Sequence, residues 1–224
     1  METLEYIPIT IDLKELLKWL NLTEKSKYIG NIKELIELAN SLLDPKAIYK
    51  VSYINERNGD WVNIDGIKFS SRILRINLDG IGRVFPYIIT IGKGLENKAA
   101  SFESFRKYIL ECIGDKALGS AKKYLEDYLK KKHNIDQISQ MSPGSLEDWP
   151  VMQQRQLFSL FGDAENLIKV RLNDDMFMIP KKSISGIYFP AEIKFYCCQL
   201  CPRKRCKMRK APYDNYLAER YNLI

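Results

Sequence analysis

The sequence predicts an α+β fold in one domain. Strand and helix patterns come in runs rather than in strict alternation, which argues against a doubly wound parallel sheet. No internal repeat and no Pro/Gly/Ser-rich linker divides the 224 residues, so residues 1–224 read as one unit. A hydrophobic share of 46% beside 28% charged residues supports a buried core and argues against wholesale disorder.

The N-terminal part, about residues 1–45, reads as helical. Segments 11–20 and 32–43 carry leucine and isoleucine at helical spacing, with Thr10 and Asn31 as N-caps, and Asp44-Pro45 stops the second helix. Segment 47–54 alternates apolar and polar residues as one strand. Asn58-Gly59 marks a hairpin turn into a strand at 61–64, and Asp65-Gly66 marks another turn. Segment 71–78 reads as a short helix ended by Asp79-Gly80. The clearest buried strand is 83–91 (RVFPYIITI), where Pro86 predicts an edge position or a bulge. Beyond Gly92 and Gly94 a helical region runs from about 102 to 132, with interruptions expected near Gly114 and Gly119. Segment 133–149 reads as a loop. Pro150 opens a helix to Phe161, ended by Gly162-Asp163. Strands fit 167–172, 177–179 and 183–189.

The net charge of +7 is local. Arg203, Lys204, Arg205, Lys207, Arg209 and Lys210 stand within eight residues, and without them the basic residues nearly balance the 28 acidic ones. A basic face of the kind that binds nucleic acid is not indicated. The run reads as a solvated tail, an anion contact or a docking patch for an acidic partner. No stretch approaches the roughly 20 apolar residues of a bilayer span. Residues 1–6 hold two glutamates and no basic stretch, so no membrane contact, no secretory signal and a cytoplasmic setting are expected. In that setting the five cysteines are thiols or metal ligands rather than disulfides.

Few residues suggest chemistry. Gly92-x-Gly94 is half a dinucleotide fingerprint, but Asn97 stands where the third glycine belongs, so a simple strand-to-helix turn is the better reading. His133 is the only histidine and sits at a lysine-rich helix end, where it complements the helix dipole. Glu126 and Asp127 read as part of an exposed charged face. The sharpest feature is Cys198-x2-Cys201-x4-Cys206 with Cys197 adjacent. Such spacing suits zinc or an iron–sulfur cluster, and the neighbouring cations would favour thiolates. The alternatives are reduced surface thiols, or a zinc knuckle in a nucleic-acid-binding module.

Two blocks carry a family resemblance. One is Ser142-Pro143-Gly144 followed by Asp148-Trp149-Pro150 and a helix; the other is Ser183-Ile184-Ser185-Gly186-Ile187-Tyr188-Phe189. Together with the strand at 84–92 and the tail from Cys201-Pro202 to Tyr213-Asp214, they resemble the activation domain of cobalamin-dependent methionine synthase, in its free-standing form. The resemblance runs from about residue 79 to 214 and leaves the first 45 or so residues without a matching motif.

That resemblance implies a twisted antiparallel sheet with flanking helices. It also implies S-adenosylmethionine as ligand, a partner that carries cobalamin (a methionine synthase or related corrinoid methyltransferase), and an accessory role in its reductive remethylation. A non-catalytic corrinoid-protein interaction module is the rival within the same fold. The ligand would lie among Ser142, Pro143, Gly144, Ser185, Gly186, Tyr188 and Tyr196. The family's loop reads Arg-x-x-Pro-Gly-Tyr; here Pro143 and Gly144 match, while Gln140 replaces the arginine and Ser145 the tyrosine. Glutamine cannot make the charge-assisted contact an arginine makes with a carboxylate.

Overall fold

The computed structural model describes residues 1–221. In chain order β1 (Glu2–Leu4), α1 (Leu13–Trp19), α2 (Ile29–Leu42), β2 (Lys46–Tyr49), β3 (Ser52–Asn58), β4 (Trp61–Ile64), β5 (Ile67–Ser70) and α3 (Arg72–Asn77) lead to the long strand β6 (Arg83–Thr90). After it come α4 (Gly94–Ala100), α5 (Ser104–His133), β7 (Ile138–Met141), α6 (Gln154–Ser159), α7 (Ala164–Ile168), β8 (Arg171–Leu172), β9 (Met178–Ile179), β10 (Ser183–Pro190) and α8 (Asn215–Arg220). Eight strands form one sheet whose neighbours all run antiparallel, and β8 with β9 makes a separate hairpin. The architecture is the α+β one expected, a sheet with helices on both faces.

Strand β6 is the axis of the sheet, not its edge. On one side it pairs with β10, and β10 carries β7 beyond it. On the other side it pairs with β2 through residues 87–90 and with β3 through 83 and 84. The stretch expected as a single strand at 47–54 is therefore two strands, parting at Lys50-Val51. Pro86 falls at that parting. Its carbonyl accepts from Lys50 N at 3.0 Å. Because N–H and C=O of one extended residue point the same way, its missing N–H faces the gap, where no ladder acceptor is lost. The proline is tolerated in a central strand because a neighbouring strand breaks opposite it.

Alternation along β6 explains its continuous apolar run. Val84 and Ile88 enter a core shared with α3, α6, α7 and α8, while Phe85, Tyr87 and Ile89 enter one beneath the second half of α5. A third cluster lies among α1, α2, α4 and the first half of α5. Helix α5 runs 30 residues without interruption at Gly114 or Gly119. Ile109, Ile113, Ala117, Ala121, Leu125 and Leu129 form an unbroken i, i+4 ridge, its first half buried against α1, α2 and α4 and its second half against the sheet. That burial outweighs the roughly 1 kcal/mol a helical glycine costs. A side chain at Gly114 would crowd Leu95 and Lys182, each with an atom 3.2 Å from the added carbon.

Other boundaries moved for local reasons. Asp12 rather than Thr10 caps α1, accepting from Lys14 N and Glu15 N. Asn31 lies inside α2, which begins without a side-chain cap. The expected loop at 133–149 contains β7, and the expected strand at 167–172 starts inside α7 and is a strand only at Arg171–Leu172. Segment 150–161 is a short 3-10 turn (Val151–Gln153) and then α6. Gly92, at φ +78°, and Gly94 serve close packing: added β-carbons would lie 2.9 Å from Asp44 Cβ and 2.5 Å from Leu42 O. The half-fingerprint is a packing turn.

Glu2 ties β1 to the rest of the fold, accepting from Tyr49 Oη at 2.7 Å and also from Tyr128 and Lys132. Partial burial pushes its carboxyl pKa up, but those donors overcome burial and hold it down at about 2. A depressed folded-state pKa means this stabilisation is present above the unfolded value near 4.5 and fades as pH falls toward 2. Glu2→Gln is expected to melt below the native protein at pH 6, with the gap closing by pH 2. A gap that stays constant across thermal melts at both pH values would refute the network.

Candidate functional site

Strand β7 ends at Met141, and the chain turns sharply. Ser145 N donates to Ser142 O at 3.1 Å, with Pro143 and then Gly144 (φ +79°) at the turn centre, the pattern of a type II turn. Gly144 N donates to Trp149 O at 2.7 Å, closing the loop onto the core. Trp149 is fully buried and meets Phe69 edge-on with centroids 6.0 Å apart. Asp148 caps α3 from a distance, accepting from Ser71 Oγ, Arg72 N and Ile73 N. Gln153 clamps the free edge of β5: Ser70 N donates to Oε1 and Nε2 donates to Ser70 O, both at 2.7 Å. The Asp-Trp-Pro block is thus an anchor that fixes the Ser-Pro-Gly turn.

Beside this turn lies a cleft of about 680 Å³. Its floor is the first half of β10, which β7 leaves uncovered; its walls are the middle of α5 and the segment 194–198, with Met208 and Lys210 at the rim. Ser142, Pro143, Gly144, Ser185 and Tyr196 all line it, as do Cys197 and Cys198. Ser142 is the hub. Its hydroxyl accepts from Gln140 Nε2 and donates to Ser185 O at 2.6 Å. Gly186 makes this approach feasible, since a β-carbon there would lie 2.5 Å from Ser142 Oγ and 2.6 Å from Met141 O. Tyr188 stands behind the cleft, fully buried and stacked on Tyr87 at 4.4 Å, its hydroxyl donating to Lys122 O at 3.3 Å. Burial holds both phenols protonated, with pKa values well above the ordinary one. Ser185 Oγ is buried at the cleft without a partner among the described residues.

Several lining residues escaped the sequence reading. Lys122 and Glu126, one helical turn apart on α5, look like a solvated charged face, yet both line the cleft. Glu126 is 15% exposed and pairs with Lys194, whereas neighbouring Asp127 is 55% exposed and pairs with Lys123. Lys122 Nζ donates to Gln140 Oε1 at 2.6 Å. Burial first, then the charge of Lys210, pushes its pKa down to about 8. The signal available in sequence was the apolar ridge at 113, 117, 121, 125 and 129, whose flanks include 122 and 126. Gln154 completes the set.

The cysteines behave differently from expectation. Among the described residues no group of three or more His, Cys, Asp or Glu side chains is placed to hold a metal ion. Cys197 and Cys198 line the cleft, but Cys201 and Cys206 do not. The loop is organised around a cation instead: the Arg209 guanidinium donates to the carbonyls of Cys198, Cys201, Arg203 and Ala211. Cys198 Sγ accepts from Lys210 N at 3.4 Å. Burial pushes the Cys197 thiol up, against smaller opposing effects of Ser145 and Lys122, so it is a thiol that donates to Gln140 O at 3.8 Å. In the basic run Arg209 is a structural centre, and Lys207 reaches over Trp19, 5.9 Å from its ring centroid, in a second depression of about 550 Å³.

His133 is no helix-end cation. Its ring packs 4.7 Å from Phe85 and 6.1 Å from Tyr49, and burial, with Arg83 and Lys132 adding to it, pushes its pKa below the usual value. The cleft offers ammonium groups, hydroxyls, amides and a protonated thiol, groups suited to hydrogen bonding and charge.

No family model matches the sequence, and no curated protein matches it. Among solved structures, a crystal structure of the MetH reactivation domain bound to AdoHcy is similar in fold, with a TM-score of 0.57 over 84% of this chain and 72% of that one, at 17% identity. Among the described residues no helix is long and apolar enough to cross a membrane.

Proposed function

We propose that this protein supports the reductive remethylation of a corrinoid methyltransferase in trans, binding S-adenosylmethionine in the cleft beside α5. One observation carries the reading. Five of the seven residues named from sequence for this ligand, Ser142, Pro143, Gly144, Ser185 and Tyr196, come from segments more than 40 positions apart and line a single cleft whose volume suits a nucleoside-sized molecule. Gly186 and Tyr188 lie outside its lining. The likeness of fold to a reactivation domain bound to AdoHcy supports it. The residues present fit such a ligand: the uncovered β10 edge presents backbone groups, and Ser185 Oγ, buried beside them, has no partner among the described residues.

The bound adenosyl compound would supply the methyl group, and the partner would carry cobalamin. This chain's part is positioning. Gly144 lets backbone approach closely, Ser142 holds the turn against β10, and Tyr196 presents a ring over which Lys194 lies at 5.7 Å. Oxidised corrinoid enzyme mixed with reductant and S-adenosylmethionine is expected to regain methylcobalamin absorbance faster when this protein is added. Equal rates with and without it would overturn the reading; binding to the corrinoid enzyme without any rate change would assign a non-catalytic interaction role.

A further inference from the structure

Charge in the cleft is unbalanced in one place. Two carboxylates line it, and both are already engaged: Glu126 by Lys194, and Asp115 by Lys182 at 2.5 Å. Lys123 is matched by Asp127. Among the described residues, Lys122 and Lys210 have no carboxylate within ion-pair distance, and the one polar partner of Lys122 Nζ is the neutral amide of Gln140 at 2.6 Å. A partly buried ammonium held by one amide, with only the longer-range field of Glu126 one helical turn along, lacks the direct ion pair that such charges ordinarily find. Gln140 in turn is braced by Ser142, so the ammonium is held in place at the cleft wall rather than free to swing into water.

We propose that Lys122 is the specificity-determining cation of the cleft, held by Gln140 to receive a carboxylate of the bound ligand. The pair does from α5 and β7 together what a single arginine would do from the strand alone: the glutamine orients and the lysine carries the charge. The neutral glutamine at position 140 is then no loss of recognition, because it does not itself meet the anion. Lys210 adds to the positive potential from the rim and needs no direct contact.

This inference rests on the cleft being an adenosyl-ligand site, and the test separates the two. Calorimetric titrations would use S-adenosylhomocysteine, which has a carboxylate, and 5′-methylthioadenosine, which does not. The native protein is expected to prefer the first by about 10-fold or more. Lys122→Met should erase that preference while leaving methylthioadenosine within about 2-fold, and Lys122→Arg should retain most of it. Unchanged S-adenosylhomocysteine affinity in Lys122→Met would overturn the inference and leave the ligand reading standing. If neither compound binds the native protein, the ligand reading fails, and thermal melts in acetate decide the rest. Stabilisation of the native protein but not of Lys122→Met upholds a carboxylate site; equal shifts reject it. Without ligand, Lys122→Met should melt at or above the native temperature, because it removes a partly buried charge that has no ion pair. A large drop would mean that Lys122 is a structural residue, and the inference would fall.

Discussion

Trp149→Ala is expected to lower the unfolding free energy by about 3–5 kcal/mol, among the largest effects of any single substitution in this chain. The indole is fully buried against Phe69 in the core beneath α3 and α6, so its removal forfeits both apolar transfer and the contacts that lined it. The same residue's carbonyl holds Gly144 N, so repacking around the void should also loosen the turn at the cleft. Chemical denaturation should show a lower midpoint, with Trp149→Phe losing much less because it refills most of the space. A loss under about 1 kcal/mol for the alanine variant would contradict the packing described.

Gly186→Ala is expected to abolish ligand binding in the cleft and to cost about 1–3 kcal/mol of stability. The added methyl group meets Ser142 Oγ and the Met141 carbonyl, both well inside contact distance, so the turn must move away from β10. Ser142→Gly in the same chain removes only the first collision, leaving the backbone carbonyl 2.6 Å away. The double variant should therefore recover part of the stability and little of the binding, a coupling that a double-mutant cycle reads directly. Full recovery would mean that the serine hydroxyl alone sets the spacing between β7 and β10.

These two positions illustrate different degrees of legibility. Ser142-Pro143-Gly144 and Ser185-Gly186 stand out in sequence because turns and close approaches demand particular residue types. Trp149 is visible as an aromatic beside a proline, but nothing local says that Asp148 caps a helix more than 70 residues away or that Gln153 completes a strand edge. Lys122 and Glu126 are the sharpest case. Their spacing is that of an ordinary surface pair, and only the direction in which α5 crosses the sheet turns them into the cleft. The cysteine cluster errs the other way: a spacing that suits metal ligands is occupied by a loop folded around Arg209.

Sequence by itself determined the class of fold, the helices beginning the chain, the buried strand at its centre and the turn that shapes the cleft, because periodicity and turn chemistry are local properties. Tertiary structure alone decided that β6 is central despite Pro86, that α5 is unbroken despite two glycines, and that Lys122 lines the cleft rather than an open helix face. Each of those outcomes depends on what a distant segment supplies: a strand break opposite a proline, a sheet for a helix to lie on, a glutamine to hold a lysine. Local patterns carry no record of such partners, since the free energy that selects them arises only when the segments meet.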